Sequence, residues 1–311
     1  QLDYECASKL VGKELFLELS KRCRDRKHGV RQEAIKALAR LYKLAYTEIV
    51  DRDANATEKF GWIPSEILNT LYTNDNEIIV SVEKALHDEI LTSVNEEAAR
   101  MDRLLVVFGS LDMKAKKAFC SLFQRQRDAI SDMNTYLSLC EKYKDDIINE
   151  ESEKYSNILN QVVRRISEKL PDPLKSANNL SSFPGLQDTR CCKMIRDCMN
   201  PLSNYGTVKK SEEDALKRIG QKAASSLETF TILIRRVSMT IINRDLVPLL
   251  LNKIKSTDSE QNSSSNVAHE LFKDISSRFP SIFKPHLDEL VKSIAENENS
   301  LMVEDSLQAL S

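Results

Sequence analysis

Apolar residues recur at helical spacing through almost the whole chain. Ile78, Val82, Leu86 and Ile90 return every fourth residue and draw a stripe down one helix face. Ile158, Leu159, Val162, Val163, Ile166 and Leu170 predict a broader buried face, and Leu227, Phe230, Ile234, Val237 and Ile241 predict another. No segment sustains the alternation of a half-buried strand. Breakers are few and sharp. Asp51 to Thr57 reads as a polar loop. Pro171-Asp172-Pro173 stops a helix, because proline lacks an N–H and biases its predecessor away from the α region. Residues 256–266, rich in Ser and Asn, read as a flexible connector, and Phe279-Pro280 separates two further helices. Asp112 to Lys144 holds no breaker, which predicts one helix of about nine turns or two with a subtle join.

One stretch carries a repeat signature. Asp25 is followed by Val30-Arg31, Ala34, Leu38 and Leu41, the order of a HEAT repeat. Asp25 can cap a helix or bind turn amides. Ala34 is small where two helices approach, and Leu38 and Leu41 fill the layer between repeats. Leu15, Phe16 and Leu19 supply the preceding helix. A second copy is expected near the end. Phe283, Leu287, Leu290, Val291 and Ile294 form its first helix, Asn297 takes the turn, and Met302, Ser306 and Leu310 follow. Ala268, Phe272 and Ile275 fit the same frame one repeat earlier. Between about 100 and 260 the repeats do not phase. The expected fold is all-α: an α-solenoid of irregular HEAT repeats, elongated and curved, running over residues 1–311 as one continuous segment of a longer protein.

Composition sharpens this picture. The 311 residues include only 7 Gly and 8 Pro, where average usage would give roughly 20 and 15. Tight hairpins depend on those residues, so an all-β fold is excluded. The glycines are too scattered for a GxGxxG turn or a Walker A loop, which excludes nucleotide sites of those two kinds. With 45 basic and 47 acidic residues the net charge is −2, so no general basic excess points to duplex DNA. No apolar run approaches the ~18 residues of a membrane span. The seven cysteines are irregularly spaced, which favours reduced thiols. Cys191, Cys192 and Cys198 are the one cluster to weigh as a metal site, but they lack a CxxC pair and a nearby His. The chain starts at Gln1 and is expected to be a fragment.

Several segments resemble one family in order and spacing. They are Cys23-Arg24-Asp25-Arg26-Lys27, Val30-Arg31-Gln32-Glu33-Ala34, Leu41-Tyr42-Lys43, Trp62-Ile63-Pro64, Ile67-Leu68, Leu71-Tyr72, Ser110 to Ala115, and Lys169 to Pro173. The family is the cohesin-associated HEAT-repeat regulators of sister-chromatid cohesion, named for precocious dissociation of sisters. The likeness covers nearly all of the chain and suggests a fungal member, in a central stretch of the N-terminal half. It departs from the animal pattern at Gly29 and in the Ser-rich connector. The resemblance implies a non-enzymatic regulator of the cohesin ring that binds its kleisin subunit and works with a Wapl-type release factor. It implies a nuclear, chromosome-associated protein without a membrane anchor, with DNA contact either indirect or left open. It also implies inositol hexakisphosphate as a ligand of the basic N-terminal part. The alternative is another HEAT adaptor, a transport receptor or a condensin-type subunit.

The candidate residues follow, each beside a plainer role. Lys21, Arg22, Arg24, Arg26, Lys27 and Arg31 form a basic run at a helix end and turn. Cations there complement the helix dipole and cap carbonyls. With the resemblance, Arg26, Lys27, Arg31 and Lys43 become candidates for the polyphosphate. Arg31 and Lys43 lie on one predicted helix ~18 Å apart, so a neighbouring repeat would have to complete such a site. Trp62 fits a repeat-junction core or a peptide anchor, and Tyr72 sits before the Thr73-Asn74-Asp75-Asn76 turn. The resemblance makes both candidates for kleisin contact, on a segment from about Thr57 to Phe108. His28, His87, His269 and His286 are scattered and form no HExxH. The acidic stretch from Asp145 to Glu153 reads as a solvated helix start.

Overall fold

The structure, a computed structural model, describes residues 3–91, 96–142, 150–255 and 262–296. Every regular element among them is helical. In chain order the α-helices are α1 (Tyr4–Lys9), α2 (Lys13–Arg22), α3 (His28–Val50), α4 (Ala54–Phe60), α5 (Ile63–Asn69), α6 (Asn76–Ala85), α7 (Glu97–Ser110) and α8 (Met113–Lys142). They continue as α9 (Glu150–Ser167), α10 (Pro173–Ser182), α11 (Thr189–Met199), α12 (Tyr205–Lys222), α13 (Leu227–Val237), α14 (Leu246–Lys255), α15 (Asn262–Arg278) and α16 (Leu287–Glu296). The chain divides into two compact units. One comprises Gln1–Leu122, Leu246–Pro280 and His286–Ser311, the other Phe123–Asp245 with Ser281–Pro285.

In the first unit α3 is the centre. Its Ala34, Ile35, Leu38, Leu41, Tyr42 and Ala45 are all buried, as the HEAT signature requires. The preceding helix is rotated from expectation. Phe16, Ser20 and Cys23 face inward at i, i+4 and i+7, which turns Leu15 outward at 63% exposure. The polar loop expected over Asp51 to Thr57 shrinks to its first three residues. Asp53 accepts a 2.6 Å bond from the Ala56 N–H, and Ala56 and Phe60 bury one face of α4. Arg52, at φ 60°, makes the left-handed step that closes α3.

The stripe at Ile78, Val82, Leu86 and Ile90 is buried throughout. Its last turn is a π turn over Leu86–Ile90, closed by Leu91 N–H to Leu86 O at 2.8 Å. Gly109 on α7 lets α15 approach, since a Cβ there would lie 3.2 Å from Val267 Cγ2. α15 opens at Asn262, so residues 262–266 are helical rather than connector. Buried Ala268, Leu271, Phe272 and Ile275 hold that helix, and Ser265 Oγ donates to Ile254 O at 3.1 Å. The rest of the connector, 256–261, lies outside the described residues, as do Asn297, Met302, Ser306 and Leu310 of the second HEAT copy. Its first helix is broken. Phe283 sits in a 3-10 segment ending at His286, because Pro285 cannot donate to a longer ladder. Leu287 and Val291 are exposed at 42% and 56%.

The unpunctuated stretch is a single helix of 30 residues, α8, about 45 Å long. Its first part belongs to the first unit, where Phe119 lies 5.8 Å from Phe108 and Cys120 Sγ donates to Asp274 Oδ2 at 2.7 Å. The remainder opens the second unit.

The core of that unit gathers Met133, Tyr136 and Leu137 with Leu159, Val162, Val163 and Ile166 of α9. The rings of Phe183 and Phe230 stack at 4.5 Å. Ile158, expected inside, is 48% exposed, because α9 offers only the narrower face centred on Val162 and Ile166. Ile241 lies beyond the end of α13. Ser238 leaves the helix with ψ 132°, Met239 N–H bonds Cys198 O at 3.0 Å, and Ile242 is buried instead. Leu170, in the turn after α9, is buried in the core, Asp172 caps α10 through Lys175 N–H at 3.0 Å, and Pro173 takes the first helical position.

Two buried aspartates tie this unit together. Asp132 on α8 is gripped by Arg165 at 2.6 Å and Lys169 at 2.8 Å. Asp188 caps α11 and is gripped by Arg218 at 2.7 Å and Lys222 at 2.8 Å from α12. Each grip uses two cations four residues apart: Arg218 and Lys222 share one face of α12, and Lys169 stands in the turn that follows α9.

Candidate partner-binding surface

The HEAT turn of the first unit is built from its own acid and its own arginine. Asp25 Oδ1 accepts from Lys27 N–H at 3.0 Å, and this bond lowers the Asp25 pKa. Arg31 then spans two repeats. Its Nη1 donates to the Asp25 and Arg26 carbonyls, each at 3.2 Å, while Nη2 reaches Asp75 at 3.1 Å and Glu77 at 3.0 Å. Asp75 is itself the cap of α6, accepting from Glu77 N–H at 2.9 Å. Asp112 repeats the pattern before α8, accepting from Ala115 N–H at 2.8 Å and from Asn69 Nδ2 at 3.2 Å.

The four candidate cations therefore have different surroundings. Arg26 and Lys27 are exposed and make no ion pair among the described residues. Arg31 has its guanidinium against two carboxylates. Lys43 lies more than three turns down α3, where its Nζ meets Glu89 Oε2 at 3.0 Å beside Arg40. Glu89 belongs to the π turn, whose end is covered by Arg103. That buried guanidinium stacks 3.7 Å over Tyr46 and donates to Ile90 O at 2.6 Å and Glu89 O at 3.2 Å. Its desolvation lowers the Arg103 pKa.

Trp62 is half-buried at the start of α5, with Nε1–H donating to Lys59 O at 2.8 Å. Tyr72 is different. It is 52% exposed, its hydroxyl donates to Lys114 O at 3.0 Å, and the Lys114 ammonium sits 4.7 Å from the ring centroid. Met113, which precedes Lys114 in the chain, is 68% exposed. Along the helical run that joins them, Trp62 and Tyr72 stand about 16 Å apart, so they cannot fill one pocket. The partner of Tyr72 is Lys114, at the start of α8, which sequence reasoning missed. Only the Leu111-Asp112 turn before α8 hinted at it, since a capped helix start tends to reach a solenoid edge. An exposed aromatic, an exposed thioether and an ammonium at one edge can grip an extended peptide carrying apolar and acidic side chains.

Cys191 and Cys192 are in the second unit's core, where burial pushes their thiols up to about 12 and about 11. Cys198 is raised further by the same cause. Among the described residues no helix is long and apolar enough to cross a membrane.

Paired helices, aspartates at the turns of Asp25, Asp75 and Asp112 and an arginine bridging to the next repeat define a HEAT-repeat α-solenoid whose working part is its side-chain surface. A family model described as "Sister chromatid cohesion protein PDS5 protein" matches residues 1–311, and the chain belongs to that family. It is 28% identical over 261 residues to the sister chromatid cohesion protein pds5 of Schizosaccharomyces pombe, covering 82% of this chain and 22% of that protein. With PDS5 of Saccharomyces cerevisiae it shares 23% identity over 331 residues, 97% of this chain and 25% of the relative. The chain thus spans about a quarter or less of the length of these relatives. Its fold matches a chain in a solved structure of the Pds5–Scc1 complex with a TM-score of 0.83, at 22% identity, over 93% of this chain and 43% of that one.

Proposed function

We propose that this chain is a kleisin-binding segment of a cohesin regulator, acting in sister-chromatid cohesion as a scaffold without catalysis of its own. The observation that carries this reading is the match of 93% of the chain to the fold of a protein solved in complex with Scc1. The edge formed by Tyr72, Met113 and Lys114 is the part of the first unit best suited to hold a kleisin segment. On this reading the protein works at chromosomes in the nucleus, with the cohesin ring and a Wapl-type release factor as further partners. Inositol hexakisphosphate is proposed as a ligand at the exposed Arg26 and Lys27, where no acid already occupies the cations.

The test is calorimetry with the Scc1-type kleisin. Tyr72→Glu replaces an exposed ring with a charge and leaves every buried contact in place. Binding should weaken by about 1–3 kcal/mol, the cost of losing an aromatic hot spot. Undiminished affinity would remove this edge from the binding surface. Absence of binding by the wild-type chain would remove the kleisin reading itself.

A further inference from the structure

The edge at Tyr72 and Lys114 is tied to the body of the first unit by three polar contacts in a row. Ser65, Asn69 and Tyr72 stand at i, i+4 and i+7 along α5 and the 3-10 turn that follows it, Thr70–Thr73, so they share one face. All three meet the start of α8. Ser65 Oγ accepts from Asp112 N–H at 3.0 Å, Asn69 Nδ2 donates to Asp112 Oδ2 at 3.2 Å, and the Tyr72 hydroxyl donates to Lys114 O at 3.0 Å. The row runs from inside to outside, with Ser65 buried, Asn69 half-buried and Tyr72 exposed. The buried Ile67, Leu68 and Leu71 of the same run carry the packing.

Stability alone does not account for Asn69. Its Oδ1 is enclosed and has no hydrogen-bond partner among the described residues. Leaving an enclosed acceptor unpaired costs stability, and an apolar side chain of the same shape would avoid that cost. Turning the amide over would set Oδ1 against a carboxylate, so Nδ2 has to be the atom that faces Asp112.

What the amide does is hold that carboxylate. Asp112 Oδ1 accepts from Ala115 N–H at 2.8 Å and Oδ2 is taken by Asn69, so one oxygen caps α8 and the other is turned to α5. The Ala115 N–H foremost, and Asn69 with it, lower the Asp112 pKa and keep the group ionised. Lys114, two residues on, makes no ion pair among the described residues, and its ammonium stays 4.7 Å from the Tyr72 ring centroid. A cation held at a ring and left unneutralised by the acid beside it can meet an acidic side chain of a bound peptide. Without Asn69, Asp112 Oδ2 is released to compete for that ammonium. We propose that Asn69 is a positioning residue for the kleisin edge: it fixes the Asp112 carboxylate on α5, so that the Lys114 ammonium and the Tyr72 ring are set in advance for an acidic peptide segment. The inference rests on the kleisin reading of that edge.

The experiment is calorimetry with the Scc1-type kleisin, with thermal unfolding alongside. Asn69→Leu keeps the size of the side chain, removes the unpaired oxygen and leaves the exposed Asp112 to water. It should melt no lower than the wild type and yet bind about three- to tenfold more weakly, because released side chains must be ordered again on binding. Asn69→Asp sets two carboxylates against each other and should weaken binding at least as much. Adding Asp112→Asn to it exchanges acid and amide, re-forms the N–H···O bond, and should return the affinity to within about twofold of wild type. If the wild type binds and Asn69→Leu binds equally well, the inference is overturned and the kleisin reading stands. Melting that falls in step with affinity also overturns it, by making Asn69 a structural residue, as does an exchange variant no better than Asn69→Asp. A wild-type chain that does not bind removes the kleisin reading and this inference with it.

Discussion

Asp188→Asn removes one charge from a buried two-cation contact in the second unit, and its cost follows from the geometry. The carboxylate is 3% exposed, accepts from Cys191 N–H at 3.0 Å, and faces Arg218 at 2.7 Å and Lys222 at 2.8 Å. Burial alone would raise its pKa, but the bonds to Arg218, Lys222 and the Cys191 amide prevail and lower it from 3.8 to about 2. A depressed acid pKa means that the folded state favours the charged form. Its stability contribution is therefore present above the unfolded pKa near 4 and lost as pH falls through the folded value near 2. That difference amounts to about 2 kcal/mol at neutral pH and about half as much by pH 3. Asparagine keeps the capping oxygen, so the charge is the main thing removed. Urea unfolding, read by hydrogen exchange of α11 and α12 amides, isolates this unit from the other. The variant should be less stable by about 2 kcal/mol at pH 7, with the gap roughly halved at pH 3. A gap of the same size at both pH values would refute the electrostatic account, and no gap at pH 7 would show that Arg218 and Lys222 do nothing for stability.

Two other outcomes follow from the first unit. Arg103→Ala strips the end of the π turn of its donors and leaves the Ile90 carbonyl buried without a partner, so it should cost about 2–4 kcal/mol in chemical denaturation. A loss below about 0.5 kcal/mol would mean that water replaces the guanidinium. Inositol hexakisphosphate should raise the melting temperature of the wild-type chain, less so at high salt. Lys27→Glu should diminish that rise, and an equal rise in both proteins would take Lys27 out of the ligand set.

Much of this architecture is legible along the chain, because burial at i, i+3 and i+4 is a local property. The stripe from Ile78 to Ile90, the HEAT face from Ala34 to Leu41 and the 30-residue α8 all follow from spacing and missing breakers. Errors arise where one residue sets the phase. Phe16 rather than Leu15 faces inward, and Pro285 moves the start of α16 to Leu287. The surface is harder to read, because its contacts join residues about one repeat apart. Arg31 meets Asp75, Tyr72 meets Lys114, and Arg218 meets Asp188. Periodicity says that each faces outward from its own helix, but it does not name the side chain across the groove. The π turn has no such signal, since one extra residue in a turn barely disturbs the apolar pattern.

The paired grips on Asp132 and Asp188 have a mechanical consequence. Arg165 and Lys169 hold opposite oxygens of Asp132, whereas Arg218 and Lys222 converge on one oxygen of Asp188, Oδ2, while Cys191 N–H takes Oδ1. Sliding α12 along its axis by one turn, about 5.4 Å, would place at most one of its two cations on Asp188. A smaller displacement carries one cation toward the Asp188 oxygen and the other away from it, so the two contacts at 2.7 and 2.8 Å are kept together only in one register. The contact therefore works as a detent. Under axial shear these helix pairs hold their register up to a threshold and then yield abruptly, whereas apolar packing alone would creep.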